Sequence, residues 1–338
     1  MKAVYLLGPE NIEVREVEKP LPGYGEVLVK VKACGICTLE QRLYAGTMKI
    51  FYPLVPGHEA AGEVVEVGDG VISDLKPGMR VALDLVNRCG ECYFCRIGKS
   101  NQCINRFKKG QRVLGGFAEY IIVKAKQVFA IPDSLSFEEA AFSEPIACCI
   151  HSLKKINLQL AEDILIIGAG PMGLMHVQVA NAMGARVFVS DVDDNRLEIA
   201  KKLGAFAVFN PNRVDVPREI KHFTDGLGAD ACVVTTPAHV ALKTGLDSIS
   251  QVGRLNIYTS YSDTPSLPID ANSVHHSEKL ITGSEGRTEH DFLQAVRLLS
   301  FKKVDVKSLI SETYPLDRAE EGIKRAMSAD TLRVLLVS

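Results

Sequence analysis

The stretch Asp163-Ile-Leu-Ile-Ile-Gly168-Ala-Gly170-Pro-Met-Gly173 sets a short apolar run against a GxGxxG turn, and the residues after it, Met172 to Met183, carry a helical pattern. Strand, glycine turn and helix in that order are the context in which GxGxxG binds a dinucleotide: the glycines admit a pyrophosphate to the backbone at the positive end of a helix. Gly168, Gly170 and Gly173 are the turn glycines, with Pro171 and Met172 between them. An acid about 20 positions on, at the end of the next strand, is needed for the ribose hydroxyls. Asp191 fills that place after Arg186 to Ser190, and Asp193 and Asp194 lie past the strand end. A carboxylate there disfavours a 2′-phosphate, so NAD is expected over NADP, with Arg196 as a further cofactor contact.

Outward from this turn the strand signal repeats at Asp230 to Thr235 and Arg254 to Thr259 with helical stretches between, which is βαβ alternation and a doubly wound parallel sheet. Upstream the chain reads differently. Glu26 to Lys32, Gly62 to Val67 and Tyr120 to Val123 are short β-branched runs punctuated by Pro22-Gly23, Pro56-Gly57 and Pro77-Gly78, the pattern of an antiparallel, barrel-like domain. Downstream of Gly286 come helices over Glu289 to Ser300 and Asp317 to Met327, then a strand over Leu332 to Val337.

The 338 residues have a net charge of −2, which gives no electrostatic footprint for nucleic acid or anionic lipid. No apolar run reaches membrane-spanning length and the N-terminus alternates like a strand, so a cytoplasmic protein is expected. Four of the nine cysteines, Cys89, Cys92, Cys95 and Cys103, fall in one loop as CxxCxxC with a fourth eight residues on. Four thiolates close a tetrahedral zinc and leave no position for a substrate, so this site is expected to be structural.

A second set of metal-binding residue types is dispersed: Cys37 in CGIC, His58 and Glu59 in PGHEAAGEVVEVG, and Glu144 in SEPIACCIH. One thiolate, one imidazole and one or two carboxylates would form an open zinc site. Spacing alone does not assemble them, and read singly His58 is a turn histidine and Glu144 a surface acid. Cys34, Cys148, Cys149 and Cys232 read as buried small hydrophobes.

Taken together, CGIC, GHEAAGEVVEVG, the four-cysteine lobe, EPIACCIH and GAGPMG resemble the zinc-containing medium-chain alcohol dehydrogenases, nearest to the polyol, sorbitol and threonine dehydrogenase branch. The resemblance covers nearly the whole chain. It implies an α/β protein with a GroES-like β-barrel catalytic domain and a Rossmann domain: residues 1–150 with the zinc lobe at about 86–105, then 151–285 for NAD, then 286–338 returning to the catalytic domain. It implies two zinc ions per chain, and a homodimer or homotetramer joined through the Rossmann sheets near Leu255 to Thr259 and Lys279 to Thr282.

Residue by residue, the resemblance makes Cys37 and His58 ligands of the catalytic zinc, Glu59 a ligand or a residue that swings in during turnover, and Glu144 the glutamate of the polyol branch. Glu40 matches an aspartate that orients the zinc-bound histidine, Arg333 a basic residue near this site and the cofactor phosphate, and His151 a histidine near the nicotinamide. The departure lies at Leu39 and Arg42, where relatives usually carry a relay hydroxyl and often a histidine. Leu39 is therefore a candidate substrate contact, as are Glu285 and Arg287 in GSEGRT, a pair that reads equally as solvated charges just before the capping-box-like Thr288-x-x-Asp291. The reaction expected is NAD-linked oxidation of a secondary alcohol on a sugar, cyclitol or amino-cyclitol. A linear polyol or L-threonine 3-dehydrogenase is the alternative, and a catalytically silent NAD- and zinc-binding sensor is a reading of a different class.

Overall fold

Ile164, Leu165 and Ile166 are fully buried, and the strand that holds them, Asp163–Ile167, lies inside a six-stranded parallel sheet. A strand covered on both faces has no polar side to show, which is why its sequence is a run and not an alternation. This computed structural model describes residues 1–48, 51–106, 115–261 and 269–338. The sheet runs Ala207–Phe209, Arg186–Ser190, Asp163–Ile167, Ala229–Val234, Ile249–Ile257, Leu280–Gly283, each pair parallel. Chain order climbs outward from Asp163–Ile167 on one side and from Ala229–Val234 on the other. The strand order therefore reverses between those two, and the glycine turn leaves the sheet at this switch point, where open α/β sheets bind ligands. This sheet belongs to one of two compact units, Cys148–Gly286; the other is Met1–Ala147 together with Arg287–Ser338.

In that other unit the order is Ile310–Pro315, Arg333–Val337, Glu26–Gly35, Glu59–Val67, Arg80–Asp84, Val128–Ala130, with Tyr120–Lys124 also paired to Glu26–Gly35. All neighbours are antiparallel except Ile310–Pro315 with Arg333–Val337. One row of the register matters most: Gly35 faces Glu59, and Glu59 faces Asp84. The closing strand adds Leu335 opposite Gly35, so the end of the chain completes the same corner. Val27, Val29, Val31, Val64, Val81, Leu83, Val334 and Leu336 pack beneath as the core.

Three expectations shift. The strand read as Gly62 to Val67 starts at Glu59, because a buried acid with a partner continues a strand that its polarity seemed to end. The helix read from Asp317 is a 3₁₀ turn over Leu316–Arg318 followed by Ala319–Ala326. The strand Ile310–Pro315, absent from the sequence reading, alternates half-buried and exposed residues at the sheet edge. Among the described residues no helix is long and apolar enough to cross a membrane.

Candidate functional site

Strand Glu26–Gly35 runs out at the CGIC turn, and Cys37 becomes the N-cap of the helix Thr38–Tyr44. Glu40, at the third position of that helix, accepts the Cys37 backbone N–H at 3.0 Å through Oε2, closing a capping box. Its Oε1 accepts the Gly57 N–H at 3.2 Å and meets His58 Nδ1 at 2.8 Å. A carboxylate only accepts, so Nδ1 carries the hydrogen and a neutral His58 presents its Nε2 lone pair. Glu40 thus binds the loop that carries Cys37 to the loop that carries His58.

Glu59 is buried beside them, its Oε1 receiving Arg333 Nη2 at 2.6 Å. A Cβ on Gly35 would stand 2.1 Å from Glu59 Oε2; only glycine opposite leaves room for this carboxylate. Cys37 Sγ, a His58 ring nitrogen and a Glu59 oxygen all lie within 4.8 Å of one another. Burial and the charge of Glu59 push the Cys37 thiol up. Burial, opposed by Arg333, pushes Glu59 up to about 7. For His58 burial acts in the other direction and is outweighed by Glu40, Cys37 and Glu144, which hold it well above its ordinary value. Burial leads for Cys37 and Glu59 and the clustered carboxylates lead the rise at His58, and soft and hard donors at this spacing fit a zinc ion.

Glu144 opens the helix Ser143–Lys155 and stands beside this group, not within it: its Oε1 is 3.9 Å from His58 Nε2 and is bonded by Arg287 Nη1. Arg287, expected to face substrate, is turned inward and buried, with Nη2 on Asp84 Oδ1 at 2.7 Å. Leu39 is half-buried at the second helical position and packs on the core of this unit, while Thr38 is exposed. Asp84 and Arg88 escaped the sequence reading; an acid ending the buried strand Arg80–Asp84 and an arginine abutting Cys89 were the available signals.

The four thiols of Cys89, Cys92, Cys95 and Cys103 also lie within 4.8 Å of one another, with Cys89 Sγ 3.5 Å from Cys103 Sγ and 4.0 Å from Cys95 Sγ. The Asn105 side chain and the Cys92 and Glu91 backbones pull Cys89 down to about 6, which favours the thiolate a metal needs. The remaining cysteines, Cys34, Cys148, Cys149 and Cys232, are buried.

In the second unit Gly168 has φ +102, and a Cβ on Gly173 would stand 1.8 Å from the Gly168 carbonyl, so helix and strand approach as closely as the motif demands. A Cβ on Gly170 would meet only Arg196 Nη1 at 3.9 Å: that face of the turn is open to a phosphate. Pro171 starts the helix Pro171–Ala182 at a position whose N–H has no intrahelical partner. Asp191 accepts the Ala169 N–H at 2.6 Å and the Asp193 N–H at 2.9 Å, which ties the acid to the turn. Asp193 is taken as the cap of the helix Asp194–Lys202. His151 is buried and Glu285 exposed, both in this second unit.

Residues 23–133 match the alcohol dehydrogenase GroES-like domain, and residues 171–300 match the zinc-binding dehydrogenase family. A sorbitol dehydrogenase of Bacillus subtilis (strain 168) is 35% identical over 97% of this chain and 94% of its own length. An L-threonine 3-dehydrogenase of Pyrococcus abyssi is 35% identical over 96% and 94%. A protein described as a zinc-binding dehydrogenase from Sinorhizobium meliloti 1021, solved with NADP, superposes with a TM-score of 0.93 at 32% identity, covering 100% of this chain and 99% of that one.

Proposed function

This chain belongs to the zinc-containing medium-chain alcohol dehydrogenase family, and from that premise we propose that it oxidises a secondary alcohol of a polyhydroxylated substrate, a sugar, cyclitol or amino-cyclitol, with NAD as hydride acceptor. The observation that carries the reading is the Cys37, His58 and Glu59 group with Glu144 at its side. Zinc held by that group would lower the pKa of an alcohol oxygen, and NAD held at the glycine turn would accept the hydride. Cys37, His58 and Glu59 would hold the ion, Glu40 sets the imidazole, and Arg333 with Gly35 cradles Glu59. The proton-accepting role normally served by a hydroxyl two residues after Cys37 would fall on Glu144 or Glu59, through water. Such general base assistance is worth on the order of 10²–10⁴-fold.

Leu39 offers no relay hydroxyl and Thr38 faces solvent, so a neighbouring hydroxyl of the substrate is a second route for the proton. That favours a polyhydroxylated ring over a simple alcohol. In the first unit Arg287 is paired with Asp84 and Glu144, and Arg333 with Glu59. Neutral substrates are accordingly better supported than one bearing a carboxylate, and a linear polyol ranks ahead of L-threonine. Asp191 supports NAD over NADP, since a 2′-phosphate beside its carboxylate would be repelled. A homodimer or homotetramer joined along the Leu280–Gly283 edge of the parallel sheet completes the reading.

The test is NADH formation by the zinc-loaded protein across inositols, amino-cyclitols, sugars, linear polyols and threonine, with Leu39→Ser beside the native chain. A ring polyol turning over best, with no gain from Leu39→Ser, supports the reading. Turnover of simple or linear alcohols alone, accelerated by Leu39→Ser, rejects the ring substrate and marks Leu39 as an impaired relay.

A further inference from the structure

Four buried charged side chains of the first unit form one continuous chain. Arg88 Nη1 meets Asp84 Oδ2 at 2.5 Å, Asp84 Oδ1 meets Arg287 Nη2 at 2.7 Å, and Arg287 Nη1 meets Glu144 Oε1. A fourth bond closes a loop, because Arg88 Nη2 donates to the Arg287 carbonyl at 2.9 Å. The side chains of Arg88, Asp84 and Arg287 are 3%, 1% and 3% exposed, so water does not loosen the arrangement. Two guanidiniums face two carboxylates, which leaves the chain neutral as a whole. One end is anchored in the four-cysteine lobe: Arg88 immediately precedes Cys89, its Nε lies 3.7 Å from Glu289 Oε1, and Glu289 Oε2 accepts Ser100 Oγ at 2.5 Å from the far side of that lobe.

The other end is Glu144, 3.9 Å from His58 Nε2. A guanidinium is a planar fork, so with one arm fixed on Asp84 the other arm has a single direction in which to hold a carboxylate. Moving Glu144 Oε1 into the Cys37, His58 and Glu59 group therefore works against the Arg287 bond. Stability alone does not call for this arrangement, since a well-packed apolar cluster serves a core as well as buried ion pairs do.

We propose that Arg287 is a positioning residue: clamped by Asp84 and Arg88 at the root of the four-cysteine lobe, it holds the Glu144 carboxylate beside the open metal site and out of its ligand set. The inference rests on the reading of Cys37, His58 and Glu59 as that site. It makes the lobe a part of the device that aims Glu144, in addition to any structural role.

The test uses the full chain with zinc kept in the lobe and Co²⁺ exchanged into the open site, reading the visible cobalt absorption and the competition of a chelator for cobalt, with thermal unfolding as the check on folding. In Arg287→Met the freed Glu144 joins the ion, so the absorption changes and cobalt is held at least tenfold more tightly. In Glu144→Gln background the same substitution leaves the absorption unchanged. An Arg287→Met spectrum identical to the native one, or one that shifts equally with and without Glu144, overturns the proposal. Should Arg287→Met not fold, Arg287→Lys keeps the charge but replaces the planar fork with a point charge that does not fix the direction of Glu144. It is expected to change the absorption in the same sense by a smaller amount, and an unchanged spectrum overturns the proposal equally. A native chain that takes no cobalt at the open site while the lobe stays loaded defeats the metal reading itself, a result distinct from either of these.

Discussion

Glu40 Oε1 lies 2.8 Å from His58 Nδ1 while the same side chain caps the helix that begins after Cys37. One glutamate thus sets both the imidazole's orientation and the position of the neighbouring thiol. Oε2 of the same side chain accepts the Cys37 N–H while Oε1 holds the imidazole, so the two oxygens divide the two tasks.

Removing that contact should weaken the open site. Glu40→Ala is expected to lower metal affinity at Cys37, His58 and Glu59 by about 10–100-fold, the usual cost of losing a partner that orients a ligand. Chelator competition measures it. Glu40→Asp should fall between, because the shorter side chain cannot span the Cys37 and His58 contacts equally well. Equal affinity in all three proteins would remove Glu40 from the metal site.

The four-cysteine lobe gives a separate prediction. Cys92→Ser should cost one zinc of two per chain and lower the thermal midpoint, because metal binding to such a loop is coupled to its folding. Metal analysis with a melting curve decides it. A variant that keeps both ions would show that the lobe does not use all four thiols.

Asp191 accepts two backbone N–H groups at the glycine turn and should accept the ribose hydroxyls as well. Asp191→Ala is expected to weaken NAD binding by about 10–100-fold, the equivalent of one charge-assisted hydrogen bond at roughly 1.5–3 kcal/mol. It should also narrow the gap to NADP. Titration with both nucleotides tests this, and a variant that loses both affinities equally would mean that Asp191 only shapes the turn.

Acid sensitivity should trace in part to His176. This residue is fully buried in the helix Pro171–Ala182, with Nδ1 2.8 Å from the Met172 carbonyl and its ring edge-on to Tyr258. Burial pulls it down to about 4, against a weaker opposing pull from the Met172 carbonyl. The unfolded chain, with an ordinary histidine near 6.5, binds the extra proton first, so stability is lost as pH falls from about 6.5 to about 4, by on the order of 3 kcal/mol in all. Denaturant unfolding at several pH values should show a shallower loss in His176→Leu. Parallel curves would place the acid sensitivity elsewhere.

The features legible in the sequence are those whose chemistry is local. Gly168, Gly170 and Gly173 declare a turn and Asp191 its acid because strand, turn and helix follow one another in the chain. Cys89, Cys92, Cys95 and Cys103 declare a metal loop by spacing alone. The open site is different in kind. Cys37, His58 and Glu59 come together through strand register, Gly35 opposite Glu59 opposite Asp84, and through a closing strand that delivers Arg333 from near the chain end. In the sequence, only the family resemblance joins these residues. The sequence around Arg287 does not announce its partners, since Asp84 and Glu144 lie 203 and 143 residues away.

The most direct measurement of the central claim is zinc content together with NADH formation on a ring polyol, in the native chain and in Cys37→Ser. The expected result is two zinc ions falling to one with NADH formation lost and the melting curve largely kept. Two ions retained in Cys37→Ser, or NADH formation that survives the loss of one, would contradict the assignment of Cys37, His58 and Glu59 as the reacting metal site.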